Sequence, residues 1–545
     1  MTKLFLKYFN ILFIAILLLI GLSIYKDFGI SIDEKVNRVN GLVNLKFLFN
    51  LFSISSFNET LFVNIPNLQD YYDRHYGAFF EIFNILLIEV ILKLENLSSI
   101  FYSRHFLNHA LFLVALYFFY LICLELFKNR YLAYFGTILL YTTPRIFAHS
   151  FYNGKDLAFL SFFIIAVYYA IKCFKNLNYK NSFLLALCSA LAMNLRIVAI
   201  YVPLLLSCFI FMDCMIKNQQ IKEKIKYLLI IIVSSILILV LTFPFLWENP
   251  IIKFLEVLSV FSKFTRADFL EVFYLGKFYN SAYLPWHYIF TMFFVTTPLL
   301  ITLFGLVGIF YTVRRLIKRL FLIDDNKSNN DLWRSNNEKT ILFIFFLIFL
   351  PIFASFLFNS VIYNGWRHFY FLYPLFLIML LHAVNILILG LKKTFYMKII
   401  PLVCFFVLSL NIFNLIKLHP YQYSYFNILF QKNSNKLFEI DYWGLANKDA
   451  LIQILNMDPN KKNYKVAAAS FVDLYLSRSM LNNENKKKIE ILGQNYDNAE
   501  YIFNNFYYEI NTNFDDKYKI PENFEKFFEI RRGKVLINEV YKRKN

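Results

Sequence analysis

Several patterns that often identify a function directly are missing from this chain of 545 residues. Its six cysteines all lie inside or at the edge of apolar runs, so no disulfide framework is predicted. No G-x-x-x-x-G-K-[ST] loop is present, which argues against an ATP-driven pump, and no H-E-x-x-H motif is present, which argues against an intramembrane metalloprotease. Spans broken by Gly or Pro in matching halves, a sign of a secondary transporter, are not evident either.

The composition that is present is strongly apolar. Hydrophobic residues make up 58% of the chain and aromatic residues 20%, which predicts a polytopic α-helical membrane protein. The formal charge of +19 could indicate a nucleic-acid partner, but the Lys and Arg residues fall in short clusters between apolar runs. This distribution favours orientation in a lipid membrane, so no nucleic-acid partner is expected.

Apolar runs near the 20 residues needed to cross the hydrocarbon core predict about 11 transmembrane helices. The runs lie at 4–25, 106–127, 131–148, 157–174, 182–195, 197–216, 227–246, 286–313, 340–359, 369–391 and 399–417. A further stretch, 78–95, carries Glu81, Asn84, Glu89 and Lys93. Because these side chains are costly at the centre of a bilayer, the stretch is predicted to lie at the interface.

The charges between the runs predict the orientation. With a cytoplasmic N-terminus, the inside loops contain the densest basic clusters: "FKNRY", "KCFKNLNYK", "KNQQIKEKIK", "RRLIKRL" and "LKKTFYMK". The opposite side then receives the segments 26–105, 142–156, 247–285, 360–368 and 418–545. Residues 1–417 are therefore predicted to form a transmembrane domain with a long first loop, 26–105. The polar tail, 418–545, is predicted to form a small extracytoplasmic α/β domain, in which "FEIRRGKVLINEVYK" indicates two strands around a Gly turn.

This topology brings carboxylates and cations to one membrane surface. Asp33 and Glu34 follow the first span, and Asp156 precedes the fourth. The cations on the same face are Arg145, His149, Lys155, Arg196, Arg367 and His368. Such cations can hold a lipid-linked phosphate or diphosphate, and a carboxylate can take a proton from an acceptor, so the combination predicts a transferase site.

Each of these residues also has a simpler interpretation. A carboxylate after a span is ordinarily a solvated loop residue, and Arg or Lys at the end of a span often anchors the helix at the interface. The carboxylates together with His149 could hold a divalent metal, but their spacing is unspecific, so neither a metal nor a cofactor is predicted. Five other histidines are assigned to structure or interface: His75, His105, His109, His287 and His382.

Six short motifs, in this order along the chain, resemble those of bacterial family 39 glycosyltransferases. They are "DE" after the first span, "YG" at Tyr76 and Gly77, "RIFAHSFYNGKD", "GWRHFYFLYP", "HPYQYSYFN" and "DYWGLANKDA". Family 39 enzymes are C-type membrane glycosyltransferases related to protein O-mannosyltransferases and aminoarabinose transferases. The resemblance covers about residues 1–455; Ala78 and Gly154 stand where relatives tend to have Pro.

The resemblance implies a C-type glycosyltransferase fold in the bacterial inner membrane, a polyprenyl-phosphate sugar donor and inverting transfer on the extracytoplasmic side. It assigns the role of general base or acceptor-positioning group to Asp33, with Glu34 beside it. The Asn-x-Lys-Asp motif of the family maps onto Asn153, Lys155 and Asp156, and Tyr76 belongs to the "YG" motif. The sugar and the acceptor are not identified.

A second class of protein stays open at this point. A membrane carrier or flippase-like protein that binds lipid-linked sugars would need the cations but no carboxylate close to the reacting carbon. Whether Asp33 and Asp156 converge on one cavity distinguishes the two classes.

Overall fold

The computed structural model describes residues 3–54, 59–216, 221–262, 270–321, 333, 335–390, 394–508 and 517–544. Its first part is helical. The helices are α1 (Lys3–Ile24), α2 (Ile32–Leu51), α3 (Phe79–Ile85), α4 (Leu97–Phe127), α5 (Arg130–Thr142), α6 (Pro144–Tyr152), α7 (Asp156–Lys175), α8 (Tyr179–Leu195), α9 (Tyr201–Ile216), α10 (Lys222–Thr242), α11 (Pro250–Ser262), α12 (Tyr288–Thr296), α13 (Leu299–Phe321), α14 (Asn336–Leu357), α15 (Tyr373–Gly390) and α16 (Thr394–Leu418). Parts of three predicted inside loops, at 217–220, 322–332 and 391–393, lie outside the described residues.

The chain is a multi-pass membrane protein with a helical transmembrane part. Helices cover most of each of the eleven predicted apolar runs, and eight helices among the described residues are long and apolar enough to cross a membrane. These eight are Leu97–Phe127, Asp156–Lys175, Ile197–Met215, Lys222–Thr242, Leu299–Arg319, Asn336–Leu357, Arg367–Gly390 and Ile399–Leu418. The other three runs form the apolar part of α1 (Tyr8–Ile24), the α5–α6 pair and α8.

The prediction of one continuous helix over 131–148 is wrong. The helix ends at Thr142, Thr143 is extended, and Pro144 is the first residue of α6. Proline has no N–H to donate and its ring crowds the preceding turn, so it ends one helix and begins the next. The run 286–313 divides in the same way, because Thr297 is extended before Pro298.

The centre of the bundle is formed by α7 and α15, which are buried over most of their length. Helix α4 packs on α7, α7 on α8, α8 on α10, and α13 on α15. Helices α10 and α16 leave large apolar side chains exposed, among them Ile236, Leu241, Phe405 and Ile416. Exposed apolar surface of this kind fits contact with lipid.

The first loop contains helices instead of an irregular chain. Helix α3 continues as a π-helical turn, Leu86–Ile91, so the predicted interfacial stretch is helical and too short to span a bilayer. Two of its carboxylates are neutralised: Glu81 pairs with Arg104, and Glu89 accepts hydrogen bonds from Arg38.

The small C-terminal α/β domain is confirmed. Its helices are α17 (Ser434–Leu437), α18 (Asn447–Met457), α19 (Leu474–Ser479) and α20 (Asn483–Lys488). A separate antiparallel hairpin, β1 (Glu271–Tyr274) and β2 (Lys277–Asn280), precedes it in the chain; the domain's own strands are β3 (Tyr464–Ala468), β4 (Ile489–Ile491), β5 (Tyr501–Asn504), β6 (Phe524–Arg532) and β7 (Val535–Arg543).

The five domain strands form one mixed sheet in the order β4-β3-β5-β7-β6. Strand β3 is parallel to both neighbours, and β7 is antiparallel to both of its own. The predicted pair of strands around a Gly turn is confirmed as the β6–β7 hairpin. Gly533 in its turn has φ +59°, a left-handed conformation that Gly adopts without a steric cost.

The segment between α16 and the sheet packs against the helical bundle. The carbonyl of Tyr425 accepts a hydrogen bond from Arg145 Nε at 3.1 Å, and the amide of Asn427 donates to the carbonyl of Val295 at 2.8 Å. The Trp443 carbonyl accepts from the amide of Ile32 at 3.2 Å. The last of these contacts brings Trp443 to the first turn of α2.

Candidate active site

A cavity of about 650 Å³ lies among the ends of several helices. Its polar wall includes Asp33, Asn37, Asn40, Asp73, His75, Tyr76, Glu81, Lys155, Asn194, Arg196, Tyr363, Arg367 and His368. Its apolar wall includes Ile197, Val198, Ile200, Val257, Leu258, Phe261, Pro351, Phe358, Ile362 and Phe369. The cavity is therefore amphipathic, with enough volume for the headgroup of a lipid ligand.

Asp33 projects into this cavity from the first turn of α2. The helix starts at a capping box, in which Ser31 is the N-cap residue and Glu34 accepts a hydrogen bond from the Ser31 amide at 2.7 Å. Asp33 Oδ2 accepts a hydrogen bond from Arg367 Nη1 at 2.7 Å, and its side chain remains 34% exposed.

Glu34 does not share this position. Its side chain is buried, its Oε1 lies 2.9 Å from His105 Nε2, and its other oxygen caps α2. Successive residues of a helix point about 100° apart, so Asp33 faces the cavity while Glu34 faces α4. The geometry gives no support for a catalytic role of Glu34 and assigns it to holding the start of α2.

Asp156 stands behind the cavity wall at the first position of α7. Asn153, three residues earlier, holds Asp156 in place: its Oδ1 accepts from the Asp156 amide at 2.9 Å, and its Nδ2 donates to Asp156 Oδ2 at 3.0 Å. The buried Asp156 carboxylate also pairs with Arg196, at the end of α8. Asp156 therefore positions Arg196 and is itself held by Asn153. Neither Asp156 nor Asn153 lines the cavity.

Arg367 joins the two predicted carboxylates. Its Nη1 lies 2.7 Å from Asp33 Oδ2 and 3.8 Å from Asp156 Oδ2. The residue begins the short 3₁₀-helix Arg367–Leu372 that leads into α15, and its side chain is 5% exposed. Asp33 and Asp156 therefore converge on one guanidinium at the edge of one cavity.

Lys155 has a different environment from the arginines. Its ammonium lies 3.1 Å from the centre of the Tyr76 ring, and no carboxylate of the described residues lies within salt-bridge distance of it. Burial, and secondly the nearby Arg196, lower the pKa of Lys155 to about 7. Lys155 is thus a buried amine in the cavity wall that gains its charge as the pH falls below about 7.

The other predicted binding residues divide into two groups. His368 and Arg196 line the cavity with Tyr76. Arg145 and His149 are buried behind it: Arg145 lies over the Phe426 ring, and His149 accepts from Asn153 Nδ2 at 3.0 Å. Arg145 and His149 are therefore not placed to touch a ligand in this cavity.

Several cavity residues were missed by sequence reasoning. His75, assigned to structure or interface, lines the cavity and lies 2.8 Å from Glu256 Oε1. Asn37 and Asn40 follow Asp33 at i+4 and i+7, a spacing that places all three on one face of α2. The S-x-x-E signal at Ser31 could have revealed that helix.

The predicted "YG" motif has a steric basis. A Cβ on Gly77 would lie 2.2 Å from the carbonyl oxygen of Asn194, so only Gly permits this close approach. The Asn194 Oδ1 in turn accepts a hydrogen bond from the amide of Phe79 at 3.3 Å. The contact fixes Tyr76, and with it Lys155, against the end of α8.

No protein-family model matches this sequence, and no curated protein matches it. Two crystal structures of ArnT from Cupriavidus metallidurans, one in the apo state and one bound to undecaprenyl phosphate, are similar to it in structure. Each has 9% sequence identity, and the alignment covers 98% of this chain and 98% of that chain, with TM-scores of 0.45 for the apo structure and 0.46 for the bound one.

Proposed function

We propose that this protein is an integral membrane glycosyltransferase that moves a sugar from a polyprenyl-phosphate donor to an extracytoplasmic acceptor, which is a lipid, a glycan or a protein. The observation that carries the proposal is that Asp33 and Lys155 line one amphipathic cavity. The apolar wall suits a prenyl chain, the cations suit a phosphate, and the carboxylate suits an acceptor hydroxyl.

The chemistry assigned to these residues is a single displacement. Asp33 takes the proton of the acceptor hydroxyl on Oδ1, since Oδ2 already accepts the hydrogen bond from Arg367. The acceptor oxygen then bonds to the anomeric carbon while the bond from that carbon to the phosphate oxygen breaks. The electron pair leaves with the polyprenyl phosphate, whose charge Lys155 stabilises. One displacement inverts the anomeric configuration.

The direct test is transfer of label. Full-length protein in membranes is incubated with radiolabelled polyprenyl-phosphate sugars, and labelled acceptor is measured. We expect transfer from at least one donor. Saturable binding of a donor without transfer would favour the carrier or flippase-like function instead, and the absence of both would contradict the proposed ligand.

The pKa of Lys155 predicts a pH dependence for donor use. With a pKa of about 7, the ammonium is mostly charged at pH 6 and mostly neutral at pH 8. Its attraction for phosphate is therefore present below pH 7 and is lost as pH rises through it. We expect kcat/KM for the donor to fall by up to about tenfold per pH unit above 7, measured between pH 6 and 9.

The matched control for this prediction is Lys155→Arg. A guanidinium stays charged over the whole range, so this variant should lose the decline above pH 7 even if its activity is lower. The same decline in Lys155→Arg as in the unaltered protein would show that another group titrates.

We further propose that the N-terminus is cytoplasmic and that the cavity and the C-terminal domain lie on the opposite side of a bacterial inner membrane. Helix α7 has Asp156 at one end and Lys172 and Lys175, both near Glu125, at the other. Twenty helical residues span about 30 Å, so the basic cluster and the cavity lie at opposite membrane surfaces.

The orientation is tested with reporter fusions. A reporter joined after Asn176, in the loop that follows α7, should be cytoplasmic, because this loop carries the basic cluster. A reporter at the C-terminus should be extracytoplasmic. An extracytoplasmic signal at Asn176 would place the cavity in the cytoplasm and contradict this orientation.

A further inference from the structure

The described residues that line the cavity run from Asp33 to Phe371, so the C-terminal domain supplies none of them. The domain nevertheless reaches the centre of the site through a short chain of contacts. That chain runs from the end of β5 through the 441–446 loop to Arg367.

Three aromatic rings, those of Tyr363, Tyr442 and Trp443, surround the Arg367 guanidinium, and we call these three rings the arginine box. Its central carbon is 4.7 Å from the centre of the Tyr363 ring, 5.0 Å from that of Tyr442 and 4.9 Å from that of Trp443. Arg367 Nη2 also donates to the Tyr442 hydroxyl at 3.4 Å. A guanidinium stacks well on aromatic rings, so the box restricts its rotation while Asp33 fixes one nitrogen.

Tyr442 is itself held from the side of the C-terminal domain. The ring centre of Tyr507 lies 5.2 Å from that of Tyr442 at an angle of 66°, a favourable edge-to-face contact. Asn505 Nδ2 donates to the carbonyl of Asp441 at 2.9 Å. Asn505 and Tyr507 are both buried, so this support is enclosed by protein and solvent does not reach it.

The domain is anchored on the other side of the site as well. The amide of Phe471 donates to the carbonyl of Tyr507 at 2.7 Å, and nearby Asp473 lies 3.4 Å from Lys35, in the second turn of α2. The loops that follow β3 and β5 therefore contact both the helix that carries Asp33 and the loop that carries Tyr442.

We infer that Tyr442 is a positioning residue through which the C-terminal domain, by way of Tyr507, holds Arg367 in its contact with Asp33. The consequence for transfer rests on the proposed function, but the placement of Arg367 can be measured without it. Loss of the Tyr442 ring opens one wall of the box and frees the guanidinium to turn from the carboxylate.

The first readout is chemical modification of Arg367 in the full-length, detergent-solubilised protein. Phenylglyoxal modifies accessible guanidinium groups, and mass spectrometry of the peptide that contains Arg367 gives its rate. Tyr442→Leu and Tyr507→Leu should each raise this rate several-fold, while Tyr442→Phe, which keeps the ring, should not. Tyr475→Leu is the matched control, since Tyr475 belongs to the same domain and is 55% exposed.

The second readout is donor transfer in a double-mutant cycle. Tyr442→Leu should lower kcat by about 3- to 30-fold, the range that corresponds to one lost cation–π contact. In an Arg367→Lys background it should add less than about twofold, because residues that act through one another are not additive. A purely structural role for Tyr442 would instead reduce activity equally in both backgrounds.

The outcomes separate the two proposals. If the variants show faster modification of Arg367 but the unaltered protein transfers no sugar, the positioning role is retained and the proposed function is overturned. Unchanged modification in both Tyr442→Leu and Tyr507→Leu would overturn the positioning role, whatever the activity. If Tyr442→Leu does not fold, the rate of Arg367 modification in Tyr507→Leu decides the positioning role, because this variant leaves all three box residues in place.

Discussion

Asp33→Asn is expected to lower turnover by about two to four orders of magnitude, the usual contribution of a general base. Asparagine keeps the shape of the side chain and can still accept a hydrogen bond from Arg367, but it cannot take a proton. Donor binding should persist, because the cations that hold phosphate are unchanged. The measurement is donor transfer under saturating conditions, with donor binding measured separately.

Two neighbouring carboxylates serve as controls. Glu34→Gln should leave turnover nearly unchanged and act on stability, since Glu34 caps α2 and pairs with His105. Asp156→Asn weakens the buried pair with Arg196 and should cost roughly 1–3 kcal/mol of stability, seen in a thermal melt. Loss of turnover in a stable Asp156→Asn variant, with Asp33→Asn active, would reverse the two roles.

Lys155→Ala is expected to raise the donor concentration needed for half-saturation by about 10- to 100-fold, the worth of one charge-assisted contact. Lys155 has no carboxylate partner among the described residues, so its removal affects the ligand more than the fold. Arg367→Ala should lower turnover as well as donor use, because Arg367 also holds Asp33.

Lys35→Ala is the matched control for the loss of a lysine. Lys35 lies two residues from Asp33 but does not line the cavity, and its side chain is 61% exposed. It should leave donor saturation unchanged, because an exposed ion pair such as that of Lys35 with Asp473 contributes little to stability. Equal saturation in Lys155→Ala and the unaltered protein would contradict the assignment of Lys155 to the phosphate.

Local sequence signals predicted much of the fold. Apolar runs of membrane-spanning length gave helices, because a bilayer permits few other structures, and a turn glycine between alternating strands gave the β6–β7 hairpin. The break at Pro144 was missed although proline itself signals it. Helix α2 was missed because its polar composition hid a capping box that the sequence does contain.

The site was less predictable, since it depends on contacts between distant residues. Charge patterns brought Asp33 and Arg367 to one surface, yet their hydrogen bond joins positions 334 apart and depends on how helices pack. Residues adjacent in sequence were also misleading, because adjacency does not place side chains together: Asp33 and Glu34 point to different sides of α2. Tyr442 belongs to a recognised motif, but its partner Tyr507 carries no local signal at all.

The order in which the site is built follows from the arginine box. A ribosome releases the chain from its N-terminus, so every described cavity residue, up to Phe371, is synthesised well before Tyr442 and Trp443. Until those two rings arrive, Arg367 has only the Tyr363 wall. Before that point Asp33 and the Tyr363 ring are the groups that hold the guanidinium, and the loop with Tyr442 and Trp443 adds the other two walls of the box.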